Sequence, residues 1–153
     1  MNIFHLQPND IQKLTPERAV EIFRSLLWAE ATRIGIGRHL IHVPSCINVG
    51  DGGLDAVVNN VKPKFDDVIP TGFSGYQIKS SDLSPKECKK ELHKKKNLND
   101  NLKPEIKRLL ENIGTYILVL FKSLTEEKRI KRKDEIIKDL SKNGYPEVKT
   151  RTI

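Results

Sequence analysis

The sequence predicts an α/β domain in which a small mixed β-sheet is flanked by helices. Three observations lead to this fold class. Two long segments have apolar residues at helical spacing, short apolar segments between glycines and prolines are typical of strands, and one unbroken apolar run is typical of a strand covered on both faces. Because these segments alternate along the chain, we expect helices and sheet to pack as layers.

The first helix is predicted to begin after Thr15. Thr is a favourable N-cap, Pro16 needs no backbone partner in the first turn, and Glu17 lies near the positive end of the helix dipole. Gly35 and Gly37 are predicted to end this helix. Its apolar residues recur at helical spacing: Ala19, Phe23, Leu26, Leu27 and Ile34.

The next part of the chain is predicted to form short strands. Glycines and prolines between Leu40 and Tyr76 separate apolar segments at 40–43, 54–58 and 76–79. Each segment is too short for a helix of ordinary length, so we interpret all three as strands.

Two helices are then predicted from their first residues. Ser84-Pro85-Lys86-Glu87 is a capping box with proline in the first turn, and it begins a cationic helix that is predicted to run to about Asn97. Pro104 begins a shorter helix that continues through Leu110.

Three further elements complete the predicted domain. The apolar run Thr115–Phe121 is interpreted as the central strand of the sheet. Thr125 caps a charged helix that ends before Gly144, and a last strand is predicted over Glu147–Ile153. Because the chain stops at this strand, we expect residues 1–153 to be one domain at the N-terminus of a longer protein.

Composition narrows the possible functions. The 153 residues are 37% hydrophobic and 31% charged, which is untypical of a disordered chain, and two cysteines exclude a disulfide framework. The sequence lacks a leader-like start and an apolar run of roughly 18–20 residues, so a cytoplasmic protein is expected. Its net charge of +7 favours a polyanionic partner, nucleic acid before an anionic membrane, and we expect DNA and no membrane.

Glu30 is the first candidate functional residue, because it lies on the apolar stripe of the first helix. Burying a carboxylate without a partner costs several kcal/mol, so Glu30 needs a cation, a set of donors or a water-filled pocket. The alternative is a carboxylate at the edge of the stripe that pairs with Arg33.

Asp55, Gln77 and Lys79 are the other candidates. Asp55 follows the glycine turn Gly52-Gly53 at the entrance of a strand, where its alternative role is to accept hydrogen bonds from turn amides. Gln77 and Lys79 are two residues apart on a strand and therefore project from the same face, as they also would on an exposed edge strand.

Together these residues resemble the PD-(D/E)xK nuclease superfamily, specifically its restriction-endonuclease-like, Mrr and archaeal-resolvase branch. The similarity covers Thr15 to about Phe121, and two positions depart from the motif: Leu54 replaces its proline and Gln77 replaces its second acid. The segments that carry the resemblance are Trp28-Ala29-Glu30, Gly50-Asp51-Gly52-Gly53-Leu54-Asp55-Ala56-Val57 and Tyr76-Gln77-Ile78-Lys79-Ser80-Ser81.

The resemblance implies a restriction-endonuclease-like core and Mg²⁺- or Mn²⁺-dependent hydrolysis of DNA. Asp55 would be the principal metal ligand, and the Gln77 side-chain oxygen and the Ile78 carbonyl would complete the protein ligands. Glu30 would act directly or through water, and Lys79 would orient the attacking water and stabilise charge on the phosphate. The amide of Gln77 removes one negative charge, which should weaken binding of a second metal ion.

Lysines of the cationic helix are the predicted DNA contacts. They follow the candidate site directly, and they suit contacts to the phosphate backbone without base recognition, although a solvated helix face has the same composition. The predicted contacts are Lys86, Lys89, Lys90 and Lys94, with Lys95 and Lys96 after them.

Three functional interpretations stay open at this point. The glycine-rich motif looks like that of effector nucleases fused to STAND-type NTPase sensors in antiphage defence, which implies a homo-oligomer driven by a C-terminal sensor. The alternatives are a nuclease similar to Holliday-junction resolvases and a non-catalytic nucleic-acid-binding or assembly module with the same fold.

Overall fold

A five-stranded mixed sheet lies at the centre of the protein. The computed structural model describes residues 7–44, 52–94 and 102–152. The strands are β1 (Ile41–His42), β2 (Ala56–Val61), β3 (Gly72–Lys79), β4 (Thr115–Leu120) and β5 (Lys149–Thr152). They lie side by side in chain order. The first two pairs, β1 with β2 and β2 with β3, are antiparallel, whereas β3 with β4 and β4 with β5 are parallel. The predicted α/β class with a mixed sheet is confirmed.

Helices cover both faces of this sheet. They are α1 (Pro8–Gln12), α2 (Pro16–Ile34), α3 (Pro85–Lys90), α4 (Pro104–Glu111) and α5 (Glu126–Lys142), with a short 3₁₀ turn at Arg38–Leu40. Among these described elements no helix has the length and apolar character needed to cross a membrane.

The predicted caps are present. Thr15 accepts a hydrogen bond from the Arg18 amide at 3.3 Å, and Ser84 forms the reciprocal capping box with Glu87. The helix α2 ends at Gly35, whose φ of 75° is the left-handed conformation that favours glycine. Local sequence signals therefore determine where these helices begin and where α2 ends.

The structure corrects two predictions about elements. The cationic helix ends at Lys90 instead of continuing to about Asn97, because Leu92 and His93 turn into the interior and His93 pairs with Leu102 in an antiparallel bridge. The continuation over 95–97 lies outside the described residues. Thr115–Leu120 is an interior strand that is buried throughout, but the central position belongs to β3.

The two faces of the sheet have separate cores. The helix α2 packs on the face that includes Tyr76 and Ile78, while α3, α4 and α5 pack on the face that includes Tyr116 and Leu118. Alternate residues of β3 therefore serve different layers, with Tyr76 and Ile78 directed to α2 and Gln77 to the opposite face.

The antiparallel pairing of β2 with β3 brings two motif segments together. Ala56 pairs with Tyr76, so Asp55, which precedes β2, lies at the same end of the sheet as the last residues of β3. The connection 62–71 lies at the other end of this hairpin. The fold thus positions Asp55 beside Gln77, Ile78 and Lys79.

Candidate active site

A glycine turn holds Asp55 in place. Gly52 and Gly53 have φ of 71° and 107°, and a Cβ on Gly53 would lie 2.4 Å from Cδ of Lys103. The turn is also tied to α4, because the Glu105 amide donates to the Gly52 carbonyl at 3.2 Å. Gly50 and Asp51 of the motif lie outside the described residues.

Asp55 is fixed against the end of β3. Its amide donates to the Tyr76 carbonyl at 2.7 Å, and its Oδ2 accepts from the Ile78 amide at 2.6 Å. The N–H and C=O of one strand residue point to the same neighbouring strand, so the Ile78 carbonyl also faces the side on which Asp55 lies. A carboxylate and a backbone carbonyl are thereby directed toward one region.

Gln77 is buried, with 3% of its surface exposed, and both ends of its amide are used. Its Oε1 accepts from the Tyr116 hydroxyl at 2.6 Å, and its Nε2 donates to Glu91 Oε2 at 2.9 Å. If the Gln77 amide were flipped, its oxygen would face the Glu91 carboxylate, and two hydrogen-bond acceptors would repel each other. The observed orientation of the amide is therefore the favourable one. The Gln77 oxygen, which the resemblance assigns to the metal, accepts a hydrogen bond from buried Tyr116, and its role as a metal ligand stays a prediction.

Glu91 is a site residue that the sequence analysis missed. Its Oε2 lies 2.9 Å from Nζ of Lys79 and 3.5 Å from Nζ of Lys103. Burial raises the pKa of this half-buried carboxyl, but the hydrogen bond from Lys79 and the charges of Lys79 and Lys103 outweigh burial, and the pKa is lowered overall. Glu87 and Glu91 are both glutamates in the same lysine-rich segment. The sequence alone therefore does not show that Glu87 caps the helix whereas Glu91 contacts Lys79.

One open cavity lies at the end of β3, and Glu91 is not among the described residues that line it. Its volume is about 450 Å³. Three of the four predicted catalytic residues line it: Asp55, Gln77 and Lys79. The other lining residues are Gly52, Gly53, Lys94, Lys103 and Pro104.

The structure does not bring Glu30 to this cavity. Glu30 is 8% exposed, and its two carboxylate oxygens accept from Nη2 and Nε of Arg33 at 2.7 Å each. This bidentate bond lowers the pKa of Glu30. Arg33 also lies 3.8 Å from Asp67, in the connection at the hairpin end remote from Asp55. Glu30 therefore belongs to the α2 face and is paired, and its predicted action on the metal has no geometric support.

The lysines that were predicted to contact DNA have different surroundings in the structure. Lys86 is exposed, but Lys89 is turned inward and its Nζ lies 3.5 Å from Asp139 of α5, which corrects its assignment as a phosphate contact. Lys90 and Lys94 line a cavity of about 290 Å³ beside the main one, together with Lys103. The predicted contacts Lys95 and Lys96 lie outside the described residues.

The available donors fit a hard cation and not a soft one. Asp55 is the carboxylate among the described residues that line the cavity, the Ile78 carbonyl is a neutral oxygen donor, and Mg²⁺ is commonly bound through one or two carboxylates with several waters retained. Within the ranges 7–44, 52–94 and 102–152, no group of three or more His, Cys, Asp and Glu residues is arranged to hold a metal ion. A Mg²⁺ or Mn²⁺ ion at Asp55 would therefore have to keep most of its ligands as water.

Comparisons with protein-family models, with curated proteins and with solved structures find no match to this chain.

Proposed function

We propose that this domain is a Mg²⁺- or Mn²⁺-dependent endonuclease that hydrolyses DNA phosphodiester bonds, with a core of the restriction-endonuclease type. One observation carries the proposal: Asp55 and Lys79, which are 24 positions apart in the sequence, line the same cavity at the end of the β2–β3 hairpin. The hydrogen bond from the Ile78 amide to Asp55 fixes their relative positions.

Each residue has a role that its chemistry supports. Asp55 and the Ile78 carbonyl hold the cation, which when bound polarises the phosphate and increases the acidity of water. Lys79 places an ammonium group beside the same cavity, where it orients the attacking water and stabilises negative charge on the phosphate. A position at the end of a strand is suited to this role, because the pairing of β3 with both neighbours keeps the backbone rigid.

DNA binding is assigned to the lysines around the cavity. Lys94 is exposed, and it lines both the main cavity and the neighbouring one, as does Lys103. Their ammonium groups can contact the backbone on either side of the phosphate to be cleaved. Such contacts bind DNA without reading its sequence.

The test is nicking of supercoiled plasmid in Mg²⁺ or Mn²⁺. We expect Asp55→Asn and Lys79→Met each to lower the nicking rate by about 100-fold or more, because each removes a charge that acts on the reacting phosphate. The matched controls are Asp134→Asn and Lys62→Met, which change the same residue types at exposed positions. Equal nicking by wild type and the two site variants would refute the proposal.

A non-catalytic DNA-binding module is the second candidate function. It is favoured by the ion pair of Lys79 with Glu91 at 2.9 Å, since an ammonium group held by a carboxylate is less available to a substrate. Retardation of DNA in a gel without nicking by the wild type in either metal would support this module over the nuclease. The role in antiphage defence and activation by homo-oligomerisation through a sensor domain stay predictions from the resemblance.

A further inference from the structure

A smaller cavity adjoins the one at Asp55 and shares two of its lysines. Its volume is about 290 Å³, and Lys94 and Lys103 line both cavities. Lys90 and Glu91 line the smaller cavity and not the larger one. Three lysines therefore surround a second space beside the candidate active site.

We propose that this smaller cavity is a phosphate subsite for a nucleic-acid strand, and that Glu91 is an internal anion from which the phosphate takes over Lys103. The inference rests on the proposed function, because the phosphate belongs to the same strand as the phosphate at Asp55. It adds to that function a binding residue, Lys90, and a residue that opposes binding, Glu91.

The lysines of the smaller cavity differ in how far an internal partner already occupies them. Among the ion pairs between described residues, none includes Lys90 or Lys94. The Nζ of Lys103 lies 3.5 Å from Glu91 Oε2, a looser contact than the usual charge-assisted hydrogen bond. A phosphate that enters this cavity therefore competes with Glu91 for Lys103 alone among the three lysines.

The two acids at the smaller cavity have different tasks. Glu87 is committed to the capping box that begins α3. Glu91 instead has three donors around one oxygen: its Oε2 accepts from Gln77 Nε2 at 2.9 Å and lies 2.9 Å from Nζ of Lys79 and 3.5 Å from Nζ of Lys103. An amide donor and two ammonium groups are also suitable partners for a phosphate oxygen. Glu91 thus neutralises charge that would otherwise attract a phosphate.

The backbone around the smaller cavity is held in place by contacts within the protein. The Lys103 amide donates to the Leu92 carbonyl at 2.8 Å, which ties the segment after Glu91 to the residue that carries the shared lysine. His93 is buried, lines the same cavity and lies 2.6 Å from Asp139 of α5. When a phosphate replaces Glu91 as the partner of Lys103, only lysine side chains then have to move.

Opposite effects of two neighbouring substitutions test this arrangement. DNA binding is measured by the fluorescence anisotropy of a short labelled duplex, in EDTA so that no cleavage occurs, over a series of salt concentrations. We expect Lys90→Met to weaken binding by about 3-fold or more and to reduce the salt dependence by about one counterion. Glu91→Gln should strengthen binding by about the same factor, because Lys103 loses its anionic partner while the new amide oxygen still accepts from Gln77.

The matched controls are Lys62→Met and Glu111→Gln. They make the same charge changes at exposed positions outside both cavities, and Glu111 also has a lysine partner, Lys107 at 3.7 Å. Because salt screens charges that lie far from the bound DNA, both controls should change the affinity by less than about 2-fold. Unchanged or weaker binding by Glu91→Gln, or wild-type binding by Lys90→Met, would overturn the subsite.

Three further measurements complete the test. Thermal unfolding identifies a variant that fails to fold. If Glu91→Gln fails, Glu91→Asp withdraws the carboxylate from Lys103 and should also strengthen DNA binding, and equal or weaker binding would overturn the subsite. Calorimetry with inorganic phosphate distinguishes the source of the ligand, since binding of phosphate but not of DNA would refute the assignment to a nucleic-acid strand.

Failure of this inference is distinguishable from failure of the proposed function. A wild type that neither binds DNA nor nicks plasmid in Mg²⁺ or Mn²⁺ would refute both. A wild type that nicks plasmid, with DNA affinity unaltered in Lys90→Met and Glu91→Gln, would refute the subsite while the nuclease function stands.

Discussion

At the scale of single residues, Gln77 connects the interior of the protein to the candidate site. Tyr116 on one side is completely buried, and burial raises the pKa of its hydroxyl well above the ordinary value, so it remains a hydrogen-bond donor. Glu91 on the other side is half-buried and lines the neighbouring cavity of about 290 Å³. The orientation of the Glu91 carboxylate therefore depends on a hydrogen bond that begins in the core.

The pairing of Glu30 with Arg33 leads to a prediction that differs from the role the resemblance implies for Glu30. We expect Glu30→Gln to keep the Mn²⁺ affinity and nicking rate of the wild type, because Glu30 pairs with Arg33 on the opposite face of the sheet. Its melting temperature should fall modestly, since the amide replaces a charge-assisted bidentate bond by a neutral one. Calorimetry with Mn²⁺ and a plasmid assay check this, and a 10-fold loss of metal affinity would place Glu30 back in the site.

At the scale of elements, α5 holds the segment that carries Glu91. His93 Nε2 lies 2.6 Å from Asp139 Oδ2, and Lys89 lies 3.5 Å from the other oxygen of Asp139. Arg132 of α5 donates to the Leu83 carbonyl at 2.6 Å, just before α3 begins. These contacts fix both ends of the short helix α3 against α5, although α3 has only six residues.

Asp139 is the shared partner in this contact and gives the second prediction. We expect Asp139→Ala to lower the free energy of unfolding by about 3 kcal/mol, because the change leaves buried His93 and the largely buried ammonium of Lys89 without their carboxylate. Urea denaturation measures the effect, with Asp134→Ala at an exposed position of the same helix as control. A loss no larger than that of the control would show that the contact does not stabilise α3.

Features of this fold that depend on short-range interactions were predictable from the sequence, and features that depend on distant contacts were not. Thr15 and Ser84 were predicted as helix starts because their caps are made within three residues. The early end of α3 was not predictable, since it depends on His93 meeting Asp139 from 46 positions away. Of the four residues expected to converge, Asp55, Gln77 and Lys79 line one cavity and Glu30 does not. The amide orientation of Gln77 depends on Tyr116, which belongs to another strand.

At the scale of the whole molecule, several of the 27 basic residues that contribute to the net charge of +7 pair with acidic neighbours on the same helix. In α5, Arg129 pairs with Glu126 and Lys131 with Glu127, and Arg132 is buried against Leu83 and Asp82. The basic character of α5 therefore says little about ligand binding. The lysines that line the cavities beside Asp55 are the more informative part of the net charge.

The stability of the molecule should depend on pH through Glu91. Its pKa in the folded state is below the ordinary value of 4.5, so the ionised carboxylate stabilises the fold at pH above about 4.5. This contribution is lost as the pH falls below that value and through the folded-state pKa. The difference in unfolding free energy between wild type and Glu91→Gln should be constant from pH 6 to 5 and decrease toward pH 3. Urea titrations at each pH measure it, and a difference that grows on acidification would contradict the ion pairs.

The strict alternation along β3 has a consequence for how this protein can change over time. Substitutions at 77 or 79 can alter the chemistry of the cavity without touching the packing against α2, because Tyr76 and Ile78 belong to the other layer. Insertion or deletion of a single residue within β3 would exchange the two sets and place Gln77 and Lys79 in an apolar layer. Descendants of this sequence are therefore free to vary the identities of these residues, while the spacing between them has to be inherited intact.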